Sequence, residues 1–189
     1  ERRWWLSGRW RRLRRRRVFG AVVSMDLARV FRHLTTPSLR MRRAFPQATL
    51  DAIEQAIRSG EDLHGGELRF VVENSLDGVT LWRGLSPRER AIDLFSQLRV
   101  WDTEHNSGVL LYVLMADRCV EIVADRGIDA RVGPRAWSDI CRSMEARFRA
   151  GEFDAGAREG IEAVSALLAE HFPREADDRN ELPDQPIVL

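Results

Sequence analysis

Six polar side chains fall in two short loops that flank a pair of apolar runs. The runs, Val109 to Met115 and Cys119 to Ala124, have strand length and are separated by the short turn Ala116-Asp117-Arg118, so they predict a β-hairpin. Because hairpin strands are antiparallel, the loop before the first strand and the loop after the second lie at the same end of the sheet. The side chains brought to this rim are Asp102, Glu104, His105, Asn106, Asp125 and Asp129. Asp117 falls alone at the other end.

Oxygen atoms that converge on one rim are the ligands that hard divalent cations take in proteins. Calcium accepts about six to eight oxygens from carboxylates, amides and backbone carbonyls, whereas magnesium retains more water. We therefore predict a calcium or magnesium site at the rim. Its ligands are Asp102, Glu104, Asn106, Asp125 and Asp129. The alternative is an ordinary solvated loop, in which Asp125 pairs with Arg126 or Arg131.

His64, His105 and Arg126 are the catalytic candidates for hydrolysis at this rim. A phosphatase needs a nucleophile or a metal-activated water, and cationic groups that stabilise the transferring phosphoryl group. The sequence contains no aspartyl-phosphate, cysteine-arginine or paired-metal phosphatase motif and no Gly-rich phosphate loop. We therefore expect at most slow hydrolysis of phosphomonoesters. His64, which precedes two glycines, also fits an ordinary loop residue.

The elements around the rim predict an α/β fold, a three-layer α/β/α sandwich with a small mixed sheet and helices on both faces. A strand from Glu67 to Glu73 and a helix from Pro87 to about Val100 precede the hairpin. Such a crossover places its two strands parallel, with a right-handed connection. The helix start is marked by the capping box Ser86-Pro87-Arg88-Glu89. The crossover also brings His64, just before the first strand, to the rim.

Apolar spacing predicts further helices. They run from Met25 to Leu34, from about Gln47 to Ser59, from Pro134 to about Arg149 and from about Ala155 to His171. Residues 74–85 are predicted to be a loop with a short edge strand at Val79 to Trp82. The residues from Arg174 onward are charged and lack periodicity, so we expect either disorder or an extension laid on the surface.

Charge separates a basic beginning from an acidic body. Residues 1–17 carry nine arginines and one acidic residue, whereas the whole chain of 189 residues has a net charge of +1. The predicted division is a basic segment 1–24, a short helix and linker 25–45, the α/β domain 46–173 and a tail 174–189. The basic segment is either disordered or upstream sequence before a start at Met25. Its alternative role is to bind nucleic acid or an anionic membrane through tryptophans among the arginines.

Composition is typical of a soluble globular protein, with 44% hydrophobic and 31% charged residues. Cys119 and Cys141 fit neither a disulfide framework nor a zinc site. The apolar run from Val18 to Val23 is too short to span a membrane. We expect a cytoplasmic domain without a membrane span, and a folded part that does not bind nucleic acid.

Three stretches resemble the TPM-domain family. They are Asn106-Ser-Gly-Val-Leu-Leu-Tyr-Val, the following Asp117-Arg-Cys-Val-Glu-Ile with the glycine of Asp125-Arg-Gly-Ile, and Phe148-Arg-Ala-Gly-Glu-Phe-Asp-Ala-Gly. The resemblance covers roughly residues 67–171. The family's polar residue before its NGVL-type strand falls at Asn106, and its post-hairpin glycine falls at Gly127. Ser107 stands where many members have a second asparagine.

The resemblance implies the same α/β/α sandwich, calcium or magnesium binding, and weak acid phosphatase activity, all of which have been associated with family members such as thylakoid-lumen and photosystem repair proteins. Residues 90–128 are more narrowly similar to a bacterial soluble branch that lacks a membrane helix. We predict a TPM-like domain that binds a divalent cation at the rim and acts as an interaction or repair-type module for a protein partner. Trp82 and Trp101 are candidate partner anchors. The alternative is a weak metal-assisted acid phosphatase.

Overall fold

A four-stranded mixed sheet lies at the centre of the computed structural model, which describes residues 26–175 and 180–189. The strands are β1 (Leu68–Glu73), β2 (Val109–Leu114), β3 (Cys119–Ala124) and β4 (Ile187–Val188). Their spatial order is β3-β2-β1-β4. β1 is parallel to β2 and to β4, and β2 is antiparallel to β3. The predicted crossover, hairpin and mixed sheet are therefore confirmed, whereas β4 was not predicted.

Eight helices surround this sheet in the described residues. They are α1 (Leu27–Thr35), α2 (Ser38–Ala44), α3 (Gln47–Glu61), α4 (Gly78–Trp82), α5 (Pro87–Gln97), α6 (Arg126–Val132), α7 (Pro134–Arg149) and α8 (Phe153–His171). The predicted capping box starts α5: the Ser86 hydroxyl oxygen accepts from the Glu89 N–H at 3.2 Å, and the Glu89 carboxylate accepts from the Ser86 N–H at 2.8 Å. This helix and the four predicted from apolar spacing are all present.

Two separate apolar cores lie on the two faces of the sheet. Phe70 and Leu111 belong to the core beneath α3, α7 and α8, whereas Val71 and Leu110 belong to the core beneath α5. Neighbouring residues of a strand point to opposite faces. Because both faces are covered, β1 and β2 are buried along their whole length. β2 is a continuous apolar run, whereas β1 also buries Arg69 and Glu73. This arrangement is the predicted three-layer sandwich.

Two local predictions were wrong, both because an aspartate caps a helix. The apolar run Val79 to Trp82 forms α4 instead of an edge strand. The Asp77 carboxylate accepts hydrogen bonds from the N–H groups of Val79 and Thr80 at 2.8 and 3.0 Å, which supports a first helical turn. The acid-rich stretch after β3 is likewise helical, since Asp125 is the N-cap of α6.

The two ends of the chain were predicted less completely. The expectations for residues 1–24 lie outside the described residues, as does the tail between residues 175 and 180. Of the alternatives for the rest of the tail, the structure shows an extension on the surface, in which β4 pairs with Val71 and Val72 at the edge of β1.

Candidate functional site

The two polar loops meet at one edge of the sheet, where β1 and β2 begin and β3 ends. Leu68 pairs with Val109, which in turn pairs with Ala124. The Asp125 N–H donates to the Gly108 carbonyl at 2.8 Å and joins the two loops. A Cβ at Gly127 would lie 2.5 Å from the Asn106 carbonyl oxygen. The absence of a side chain at Gly127 therefore lets α6 begin against the loop before β2.

The loop before β2 is folded so that its predicted ligands face solvent. Ser107 is buried; its N–H donates to the Thr103 hydroxyl at 3.1 Å, and its own hydroxyl donates to the Gly65 carbonyl at 3.2 Å. Asn106 has a φ of 53°, a left-handed conformation that asparagine tolerates. The exposed side chains are Asp102, Glu104, His105 and Asn106. The rim therefore presents exposed polar side chains above a hydrogen-bonded loop backbone.

Asp125 is the predicted ligand that lies beneath this surface. The residue is 6% exposed, and one carboxylate oxygen accepts from the Arg126 N–H at 2.6 Å. The other oxygen, Oδ2, is buried without a hydrogen-bond partner in the described part of the chain. Neither Arg126 nor Arg131 forms an ion pair with it; the Arg131 guanidinium donates to the His171 carbonyl and lies 4.2 Å from the centre of the Phe172 ring.

The remaining predicted ligand, Asp129, is held by a different contact. It lies in the first turn of α6, and its Oδ1 accepts from the Trp137 indole N–H at 3.1 Å. Within residues 26–175 and 180–189, no three His, Cys, Asp or Glu side chains are arranged to hold a metal ion. The structure thus brings the predicted ligands to one edge without assembling them around one point.

The three catalytic candidates lie at different depths. His64 is 1% exposed, and its Nδ1 accepts from the Gly66 N–H at 3.3 Å. Arg126 is exposed at the start of α6. His105 is exposed and lines a pocket at the edge. The other lining residues are Gly65, Arg131, His171, Phe172, Pro173 and Glu175. His105 is therefore the candidate that lines this concave surface.

Sequence reasoning missed a buried polar network beneath α5. The Tyr112 hydroxyl donates to Glu73 Oε2 at 2.6 Å, and Arg90 donates to both oxygens of the same carboxylate at 2.9 and 3.0 Å. Burial and the bond to Glu73 raise the pKa of Tyr112. The network ties β1, β2 and α5 together. A tyrosine inside an apolar strand was the available signal, since a buried hydroxyl needs a partner.

A second missed feature is an acidic cluster beside the start of β1. Burial, followed by the negative charges of Glu67 and Asp184, raises the pKa of Glu61 to about 9. The Glu67 carboxylate accepts from the N–H groups of Glu181 and Leu182 at 2.9 and 3.1 Å. Arg58 forms an ion pair with Asp184 at 3.1 Å. These contacts hold the tail, and the local sequence gives no signal for them.

Fold and edge together define the chain as an α/β/α sandwich domain with an acidic loop rim. It belongs to the TPM-domain family, whose sequence model matches residues 41–167. The match includes β1, β2, β3 and the rim, and it leaves α1 and β4 outside. In the described residues, no helix combines the length and apolar character needed to cross a membrane.

Two solved structures are similar to this chain. The NMR structure of the BA42 protein from the psychrophilic bacterium Bizionia argentinensis is 31% identical, with a TM-score of 0.66; the alignment covers 75% of this chain and 93% of that one. The N-terminal domain of a protein from P. gingivalis is 22% identical, with a TM-score of 0.56, and covers 68% and 81%. The second likeness concerns the fold alone. Among curated proteins, none matches this chain.

Proposed function

We propose that this TPM domain is a binding module that takes a divalent cation, preferably calcium, at the rim above Asp125. The observation that carries the proposal is the Oδ2 atom of Asp125, which is buried and lacks a hydrogen-bond partner among the described residues. A buried carboxylate oxygen without a compensating contact is unfavourable. A hard cation would compensate it.

The surrounding oxygen atoms favour calcium over magnesium. The backbone carbonyls of His105 and Asn106 lie against Gly127, two residues after Asp125. Calcium accepts irregular sets of carboxylate and carbonyl oxygens, whereas magnesium requires a stricter octahedron. Asp125 would anchor the ion, and the exposed side chains of Asp102, Glu104 and Asn106 would complete its shell. Asp129 would contribute the oxygen that Trp137 does not use.

The proposed role of the ion is to stiffen a surface for a protein partner. A bound cation would join the loop before β2 to the start of α6, which now meet through the Asp125 N–H and the contact at Gly127. Trp101, which is 49% exposed, lies just before this loop. Exposed tryptophans are favoured anchors in protein interfaces. An ordered loop beside Trp101 would lower the entropic cost of partner binding.

Thermal unfolding of the wild type, Asp125→Asn and Asp93→Asn in EDTA, calcium or magnesium tests the cation site. Asp93 is an exposed acidic residue on α5 and serves as the matched control. At about one hundred times the dissociation constant, calcium should raise the melting temperature of the wild type and of Asp93→Asn by roughly 5–10 °C. Asp125→Asn should show no shift. An equal shift in Asp125→Asn, or none in the wild type at millimolar calcium, would contradict the proposal.

A second candidate, weak metal-assisted acid phosphatase activity, is favoured by the pocket that His105 and Arg131 line beside the rim. A histidine and an arginine could bind a phosphoryl group there while the ion polarised one of its oxygens. Turnover of p-nitrophenyl phosphate should stay below roughly one per second. His105→Ala should remove this activity, whereas Asp93→Asn should retain it. Calcium-dependent stability without any turnover would support the binding module alone.

A further inference from the structure

Helix α1 turns its apolar side to solvent. Leu27, Phe31 and Leu34, spaced four and three residues apart, are 69%, 68% and 75% exposed. Leu39, in the first turn of α2, is 61% exposed. An amphipathic helix on a globular domain normally buries this stripe against the core. The stripe is therefore available to something outside the described domain.

The orientation of α1 is fixed by its polar side. Arg29 and Arg32 form ion pairs with Asp117 at 2.9 and 2.5 Å, and His33 Nε2 lies 3.1 Å from the same carboxylate. Arg29 also donates to the Leu85 carbonyl at 2.7 Å. These contacts hold the helix with its polar side inward, so the exposure of the apolar side follows from how α1 is docked.

The segment that receives α1 exposes further apolar side chains. The Leu76 N–H donates to His33 Nδ1 at 3.0 Å, and the Leu85 carbonyl binds Arg29. Between these two contacts lies α4, on which Val79 is 63% and Trp82 is 70% exposed. We define the α1 face by its exposed apolar residues, which are Leu27, Phe31, Leu34, Leu39, Val79 and Trp82.

The segment that carries most of the α1 face is basic. Between Leu27 and Pro46 the chain contains five arginines and no acidic residue. Arg40, Arg42 and Arg43 are exposed, and no carboxylate of a described residue lies within 4 Å of them. Exposed apolar side chains together with exposed arginines are typical of helices that lie in the interface of an anionic membrane. Tryptophan is enriched at the same depth.

We propose that the α1 face docks the domain on the surface of an anionic phospholipid bilayer. Leu27, Phe31 and Leu34 would enter the boundary between headgroups and acyl chains, and the arginines of α2 would contact lipid phosphates. A second copy of the chain fits less well, because a two-fold contact would bring the same arginines together. A nucleic acid would contact the arginines without covering the apolar stripe. The rim lies at the opposite edge and stays free for its own ligand.

Vesicle flotation with the full chain tests this proposal. Vesicles of phosphatidylcholine alone are compared with vesicles containing about one third phosphatidylglycerol, at low and high salt. The variants are Phe31→Ser and Leu34→Ser, and the matched control is Leu63→Ser, which alters a leucine that is 65% exposed near the start of β1. Binding to the anionic vesicles should weaken about tenfold in each α1 variant. Leu63→Ser should bind like the wild type, and all three should melt within about 2 °C of it.

Salt should weaken binding of the wild type, because part of the attraction is electrostatic. Three results would overturn the proposal. The first is no binding to anionic vesicles, and the second is equal binding of wild type and α1 variants, which would assign lipid binding to another segment. The third is a dimer in light scattering that both α1 variants dissociate while vesicle binding is absent, which would assign the α1 face to a second copy.

Discussion

Two aspartates at opposite ends of β3 show how differently this domain treats a buried carboxylate. The Asp117 side chain is 8% exposed although the residue as a whole is half-buried, and Asp125 is buried, so most of each carboxylate lies out of solvent. Asp117 faces Arg29, Arg32 and His33. Asp125 forms one bond to a backbone N–H and keeps one oxygen without a partner in the described residues. The first carboxylate is fully paired with groups of the domain, whereas the second keeps the oxygen on which the proposed cation site rests.

The contacts of Asp117 with α1 should make the largest single contribution to stability at this end of the sheet. Asp117→Ala removes the shared partner of two guanidinium groups and of the His33 imidazole, and it leaves Arg29 and His33 partly or fully buried without it. Breaking such an ion cluster should cost about 3 kcal/mol of unfolding free energy. The melting temperature should fall by roughly 6–12 °C at neutral pH. Calorimetry of Asp117→Ala and of the exposed control Asp93→Ala measures the difference. A loss below about 1 kcal/mol would show that Asp117 does not hold α1 in place.

The contribution of Asp117 to the free energy of unfolding should also depend on pH. Burial acts to raise the pKa of Asp117, but hydrogen bonds from Arg29 and Arg32 outweigh it, so its pKa lies below the ordinary value of 3.8. The stabilisation is therefore fully present above the unfolded pKa and is lost as the pH falls below about 4. The wild type should lose its stability advantage over Asp117→Ala in that range.

The acidic cluster beside β1 is a third buried carboxylate site. There the negative charges of Glu67 and Asp184 act on Glu61 together with burial. The pKa of Glu61 is raised to about 9. The stability that its neutral form provides is fully present below about pH 4.5 and is lost progressively as the pH rises toward 9. Glu61→Gln stays neutral throughout. It should therefore melt roughly 3–6 °C higher than the wild type at pH 8 and within about 1 °C of it at pH 4.5.

Melting temperatures of wild type, Glu61→Gln and Glu54→Gln across this pH range provide the measurement. Glu54 lies on the same helix with an exposed ion pair to Arg58 and is the control. Parallel pH curves for wild type and Glu61→Gln would mean that Glu61 is ionised in the folded protein. The tail that covers β1 would then have another source of pH dependence.

These contrasts also explain how much the sequence could predict. The hairpin, the crossover and the capping box depend on periodicity or on residues a few positions apart, and all three were predicted from the sequence. Asp117 was expected to lie alone, yet its partner Arg29 is 88 residues away. No local pattern joins the two. The pairing of Glu67 with Glu181, 114 residues later, was missed for the same reason.

The position of the rim was predicted from the sequence, but the arrangement of its side chains was not. Hairpin topology brings the two loops to one edge whatever their side chains do. Whether an oxygen at that edge is exposed or buried depends on packing, as when Thr103 and Ser107 turn inward and leave Asn106 outside. The N-cap role of Asp125 buries its carboxylate. A pattern of acidic residues cannot distinguish these cases, because each residue has the same chemistry.

The smallest change in stability is expected for a substitution of Asp125. It tests directly whether Asp125 and Asp117 differ in their structural roles. Asp125→Asn keeps an oxygen that can accept from the Arg126 N–H, and it removes a charge that no described residue neutralises. In EDTA the unfolding free energy should change by no more than about 1 kcal/mol, with a gain as the favoured sign. Urea unfolding of Asp125→Asn beside Asp117→Ala measures this. If both substitutions lower the free energy of unfolding by the same amount, Asp125 has the same structural role as Asp117. Its Oδ2 atom is then not a ligand for a cation.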